Sequence, residues 1–249
     1  MSQQNNHPHI VSAYDRELTE LRSLVVNMGE SVVEQTQGAI RAFLKTDAPQ
    51  ARQVISREPE IDALSVAADE EVFRVIAKRQ PTAVDLRLVL AVSRVVSELE
   101  RAGDKAARIA NNTLKLLDGG AASPNAAALG KRFRTLEALV IERLRQGVNG
   151  IVEADLDQAI AVFESEPRLS TARQALTEDL AAPEAQSDGA SLAVLLTIAH
   201  ALERIGDHAG NIAEQVVYVI TAEDVRYRNR ALLIDALKHR SDAARSEAS

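Results

Sequence analysis

Apolar residues recur three and four positions apart along most of this chain, the spacing of an amphipathic helix. Across 10–45 the stripe is Leu18, Leu21, Val25, Met28, Val32, Ile40 and Phe43. Thr46-Asp47-Ala48-Pro49 then supplies a stop, an N-cap candidate and a proline suited to a helix start. A second helix follows through Ile55, Ile61, Leu64, Val72 and Ile76, bent near Pro59. Arg79-Gln80-Pro81-Thr82 breaks it. A third helix over 84–117 carries Leu88, Val92, Val95, Leu99, Ala102, Ala106, Ile109 and Thr113 in a 4-3-4-3 rhythm. Residues 118–125 are rich in Gly, Ser, Pro and Asn and read as a loop. The plan then repeats: a helix over 129–152, a turn at 154–157, a second helix over 156–180, a linker at 183–189 and a third helix over 190–220. A polar, basic tail with a short helix around 231–238 closes the chain.

The repetition extends to residues. Leu99 to Ala110 reads LERAGDKAARIA, and Leu202 to Ala213 reads LERIGDHAGNIA; eight of the twelve positions are identical, at an offset of 103. Asp47 and Asp155, and the pairs Glu58-Pro59 and Glu166-Pro167, match at an offset of 108. The expected architecture is therefore all-α, two tandem three-helix bundles forming one compact molecule. The expected division is a disordered tail at 1–9, a first repeat at 10–118, a linker at 119–128, a second repeat at 129–222 and a polar tail at 223–249.

Composition supports the helical reading and removes several chemistries. Only 3% of residues are aromatic, against the aromatic and β-branched richness of a sandwich or barrel. The net charge is −7, which argues against general nucleic-acid binding. There is no cysteine, so disulfides, thiolate metal sites and a Cys nucleophile are excluded. The N-terminus lacks the basic and apolar regions of a signal peptide. The charge-free run 189–202 is shorter than the ~20 residues that span a bilayer. A soluble, cytoplasmic protein without direct membrane insertion is expected.

The repeated dodecapeptide is the one segment with candidate chemistry. Glu100 and Asp104, and Glu203 and Asp207, stand four apart, which puts two carboxylates on one helix face. At about 100° per residue, Asp104 lies about 40° and Asn111 about 20° from Glu100, whereas the apolar seam averages near −125°. The carboxylates thus face away from the seam. Glu214 joins the second stripe, with His200 at its edge. Arg101, Lys105 and Arg204 stand close enough to offset the like charges, so a solvated charged face is one reading. The other is a site for hard divalent cations, which prefer clustered carboxylate oxygens. Duplication of the pair favours the second reading. So does a glycine before each Asp, Gly103 and Gly206, which costs ~1 kcal/mol in a helix and signals close approach by a helix or ligand. Glu58, Asp62 and Asp69 align on the second helix, but Asp62 and Asp69 map to Ser170 and Thr177 in the other repeat, so this stripe reads mainly as solvated surface. Of the five histidines, His7, His9, His200, His208 and His239, none completes a Glu-x-x-His di-iron signature. His200 and His208 flank the second pair, as metal ligands or as satisfied polar groups. There is no phosphate-binding glycine loop, HExxH or GxSxG, and no nucleophile with a base, so no enzyme activity is expected.

Two tandem units, each with E-R-x-G-D-x-A-x-x-I-A in its third helix, resemble the PhoU family of phosphate-signalling regulators. The segment AKRQPTAVDLRLV at 77–89, the start of the first helix with Met28-Gly29, and the second motif GDHAGNIAE at 206–214 carry the same resemblance, over about 9–228. It implies two three-helix bundles, often in a homodimer. It also implies a cytoplasmic adaptor between the ATPase subunit of the phosphate ABC transporter and the phosphate sensor histidine kinase, repressing signalling and uptake when phosphate is plentiful. Members' acidic motifs bind multinuclear metal, so the resemblance marks Glu100, Asp104, Glu203 and Asp207 as metal candidates, for iron, zinc, manganese or magnesium. Asn211 and Glu214 match the second motif's continuation. Arg108 stands where the family often has Asn, a cation expected to weaken or reshape the first site. A carboxylate-bridged metalloenzyme and a metal-free helical scaffold are the competing readings.

Overall fold

The computed structural model describes residues 7–119, 128–182 and 189–247. The first unit consists of α1 (His7–Lys45), α2 (Ala48–Ile55), α3 (Glu58–Arg79) and α4 (Ala83–Asp118). The second consists of α5 (Ala128–Glu153), α6 (Leu156–Glu164), α7 (Glu166–Ala181) and α8 (Gly189–Thr221), followed by α9 (Arg230–Glu247). Among the described residues there is no strand. The expected second helix of each unit is two helices rather than one bent helix. The break falls in front of Glu-Pro in both units, where proline sits in the first turn of the new helix and lacks an N–H that no partner awaits.

Local chemistry is duplicated with the sequence. Asp47 caps α2 by accepting from Gln50 N at 2.9 Å, and Asp155 caps α6 by accepting from Asp157 N at 2.8 Å. Thr46 and Ala154, just before those caps, are both left-handed, at φ 54° and 52°. Gln80 ends α3 at φ 50° and ψ 55°, immediately before Pro81.

Every position of the apolar stripes assigned above to the first and third helices is buried in α1 and α4. Each unit packs its long first and third helices against each other and closes the bundle with the split second pair. The two units meet mainly along α4 and α8, with a lesser seam between α1 and α5 where Gly29 lies under Val148. The two motif helices are therefore the central axis of the molecule. By length and composition α8 alone among the described residues is apolar enough to cross a bilayer, which the charge-free run 189–202 did not suggest. Its apolar residues are instead spent on α4, α5, α6 and α7.

Both chain ends differ from expectation. Residues 7–9, assigned to a disordered tail, are helical, and 1–6 lie outside the described residues. The interior of the linker at 119–128 and that at 183–189 also fall largely outside them. The polar tail carries an 18-residue helix rather than a short one. It buries Leu233 and Leu237 against the fold, packs on α6, and hydrogen-bonds Ser241 to Asp157 at 2.8 Å.

Candidate functional site

The motif glycines serve helix packing. A Cβ on Gly103 would lie 3.0 Å from Ile61 Cδ1 and 3.2 Å from Gln35 Oε1; one on Gly206 would lie 2.8 Å from Leu169 Cδ2. Ile61 and Leu169 are repeat equivalents, so in each unit the second helix pair presses on the motif at the same point. That approach brings the residues of α3 against Glu100 and Asp104, and those of α7 against Glu203 and Asp207.

In the first unit the motif carboxylates are half-buried and face further acids. Burial and then the charges of Asp104 and Asp62 raise the pKa of both Glu58 and Glu100, with Arg101 and Lys105 opposing the rise at Glu100. None of Glu58, Asp62, Glu100 or Asp104 lies within ion-pair distance of a cation among the described residues. The α3 stripe divides accordingly. Glu58 and Asp62 belong with the motif, although Asp62 is exposed as expected, while Asp69 is engaged elsewhere by Ser93 Oγ at 2.7 Å.

The second unit answers the same geometry with arginine. Arg173 pairs with Glu203 at 2.6 Å and Arg204 with Asp207 at 3.0 Å. Arg143, only 1% exposed, reaches Glu166 at 3.6 Å and donates to Val162 O at 2.7 Å, Ser165 Oγ at 2.7 Å and Gly206 O at 3.2 Å. Its repeat equivalent is Gln35, which donates to Val54 O, the counterpart of Val162 O, at 3.3 Å and leaves its Oε1 without a donor. Arg173 likewise replaces Ser65. Burial still raises the pKa of Asp207, with Glu203 and Glu166 adding to the rise and Arg204 and Arg143 opposing it.

The remaining candidates are distributed differently from the sequence expectation. Arg108 is exposed and lines a cleft between α4 and α8. Cations that pair directly with the motif carboxylates are in the second unit. Asn211 and His208 turn to Glu98 of α4, at 2.7 and 2.8 Å, and Glu214 is held by Arg230 at 3.0 Å. His200 is mostly exposed, 3.4 Å from Glu203.

Among the described residues no three His, Asp or Glu side chains converge tightly enough to hold a metal ion as placed. The donor sets nevertheless fit a cation unequally. The first motif offers hard oxygen donors without a counter-charge. In the second, guanidinium groups already supply it. Sequence reasoning missed Arg143. Its signal was a charged residue within the apolar stripe Leu136, Val140, Gly147, Ile151, at the position Gln35 takes in the first unit.

Comparison with known proteins agrees with this duplicated architecture. The PhoU domain matches twice, at residues 25–113 and 133–216, once per unit. The phosphate-specific transport system accessory protein PhoU of Escherichia coli K12 is 31% identical over 229 residues, spanning 91% of this chain and 93% of that protein. The Caulobacter vibrioides homolog is 33% identical over 222 residues, 87% and 94% of the two chains. The crystal structure of PhoU from Pseudomonas aeruginosa superposes with a TM-score of 0.75 at 29% identity, covering 84% of this chain and all of that one. The phosphate transport system regulatory protein PhoU from Streptococcus pneumoniae gives 0.76 at 26% identity, covering 85% and 99%. With both units matched and nine-tenths of the chain aligned to relatives at this identity, the chain belongs to the PhoU family.

Proposed function

We propose that this protein is a non-enzymatic regulator of phosphate transport and phosphate-starvation signalling. The observation that carries the reading is the double family match: both units align, in order and over 91% of the chain, with relatives named as accessory or regulatory proteins of phosphate transport. In this reading it is a cytoplasmic adaptor, acting as a homodimer, between the ATPase subunit of the phosphate ABC transporter and the phosphate sensor histidine kinase. Deleting the gene should derepress phosphate-starvation genes in phosphate-rich medium, and restoring the chain should repress them again. Unchanged expression on deletion would sink the reading.

The proposal includes a cation at the first acidic motif. Glu58, Asp62, Glu100 and Asp104 would supply its oxygens, and a divalent ion would offset the burial and the repulsion from Asp104 and Asp62 that raise the pKa of Glu58 and Glu100. Iron, manganese, zinc and magnesium are the ions to test. Glu100→Gln with Asp104→Asn should remove metal measured by elemental analysis on tag-free protein. Glu203→Gln with Asp207→Asn should change it little. The metal-free scaffold is the second reading, favoured by the wide spacing of the acidic side chains. Metal-free protein that still represses supports it.

A further inference from the structure

The face of the motif helices beside the acidic stripe has its own chemistry. Arg101, Lys105 and Arg108 lie at about 100°, 140° and 80° around α4 from Glu100, on the side turned toward α8. From α8, His200, Arg204 and His208 come to meet them, and the six line one cleft of about 300 Å³ that no carboxylate residue lines. The cleft is a product of the duplication, since Arg101 and Arg204, and Lys105 and His208, are repeat equivalents brought face to face where the units join.

Three features make this more than a charged surface. First, Arg101 and Arg204 are partly satisfied by Glu98 at 3.2 Å and Asp207 at 3.0 Å, but neither Lys105 nor Arg108 lies within ion-pair distance of a carboxylate among the described residues. Second, His208 is 5% exposed and its orientation is fixed, because Nδ1 sits 2.8 Å from Glu98. Burial opposes the charge of Glu98, and the hydrogen bonds from His208 and Asn211 outweigh it and hold its pKa below the ordinary carboxylate value. Third, with Nδ1 committed to that carboxylate, His208 Nε2 is a buried nitrogen with no hydrogen-bond partner. An unmet buried polar group costs ~1–3 kcal/mol, which a ligand oxygen in the cleft would recover on displacing the atoms that cover Nε2.

We propose that this interunit cleft binds a tetrahedral oxyanion of the phosphate class, with Lys105 and Arg108 as its main charge donors and His208 Nε2 as its buried contact. Guanidinium and ammonium groups are the usual partners of phosphate oxygens. The imidazole nitrogen accepts the O–H of a hydrogen phosphate when neutral and donates to an oxygen when protonated. Because the cleft lies on the joint between the units, an anion there would tie α4 to α8. The cleft adjoins the acidic motifs through the Arg204–Asp207 and His200–Glu203 contacts, but its test reads anion binding and is independent of gene regulation.

The test is calorimetric titration of the full chain with inorganic phosphate at constant ionic strength, with sulfate, a nucleoside monophosphate and vesicles containing anionic phospholipid as parallel arms. Saturable binding of phosphate is expected. The double variant Lys105→Gln, Arg108→Gln should weaken it at least about ten-fold, the equivalent of one charge-assisted contact. Arg132→Gln, on a distant groove, should leave it unchanged. If only the nucleotide or the vesicles bind, with the same sensitivity to the double variant, the ligand is a phosphate group carried on a larger molecule and the chemistry of the site stands. Should the double variant fail to fold, the ¹⁵N resonances of His208 in the unaltered chain give the same answer, since bound phosphate must shift them. No saturable binding in any arm, or binding that moves neither with the double variant nor at His208, overturns the proposal.

Discussion

The two halves of this molecule share a backbone plan and solve one electrostatic problem in opposite ways. In each, packing on a glycine drives the second helix pair against an ExxxD motif and crowds carboxylates together. The first half leaves that charge standing: Gln35 and Ser65 occupy the neighbouring positions, and the pKa values of Glu58 and Glu100 rise. The second half neutralises it from within, with Arg143 and Arg173 at the equivalent positions. A duplicated motif is therefore not a duplicated site. What surrounds the acids decides whether an external cation is needed.

The sharpest way to break this comparison is to remove the buried guanidinium. Arg143→Met removes the guanidinium's hydrogen bonds to Val162 O, Ser165 Oγ and Gly206 O and leaves Glu166 without its cation, so urea denaturation should register a loss of ~2–3 kcal/mol. The equivalent Gln35→Met removes one long hydrogen bond and should cost about 1 kcal/mol. Equal effects would mean that the halves do not differ in this way.

A smaller effect should have opposite signs in the two halves. In chelator-treated protein, Glu203→Gln breaks the Arg173 pair and should destabilise by ~0.5–1 kcal/mol. Glu100→Gln removes one of several crowded like charges and should stabilise by about 0.5 kcal/mol. Thermal melts resolve this, since 1 kcal/mol moves the midpoint of a chain this long by ~2–4 °C. Shifts of the same sign would refute the assignment of counter-charges.

The smallest effect concerns pH within the first half. Glu58 and Glu100 have raised pKa values, so the folded state holds their protons more tightly than the unfolded chain does. Their contribution grows as pH falls through the raised values and is lost as pH rises through them. Glu17 works in the other direction. Hydrogen bonds from Arg79, at 2.6 and 2.9 Å, outweigh its burial and with Lys78 bring its pKa down to about 2 from 4.5. Its contribution is full above 4.5 and is lost as pH falls toward about 2. Acid titration of stability should therefore show Glu17→Gln converging on the unaltered protein at low pH, and Glu100→Gln doing so only below the raised value. Parallel curves across the whole range would contradict both.

Much of this protein was legible from its residues alone. Helical periodicity located the long helices, because a stripe three and four apart has one low-energy way to bury itself. The duplicated ERxGD segment announced two units and marked the glycines as points of close approach, which Ile61 and Leu169 fulfil. The tail helix was underestimated because its apolar residues are few, and only docking on α6 makes burying Leu233 and Leu237 worthwhile.

The sequence by itself determined the helical class, the twofold repetition, the turns and the acidic face, since each follows from spacing within one segment. Only the tertiary structure decided which charges meet. Arg143 lies 63 residues from Gly206, and His208 lies 110 from Glu98. Ion pairing acts over a few ångströms in space whatever the separation along the chain, so one acidic face became paired with arginine and the other an unpaired cluster only once the helices had packed.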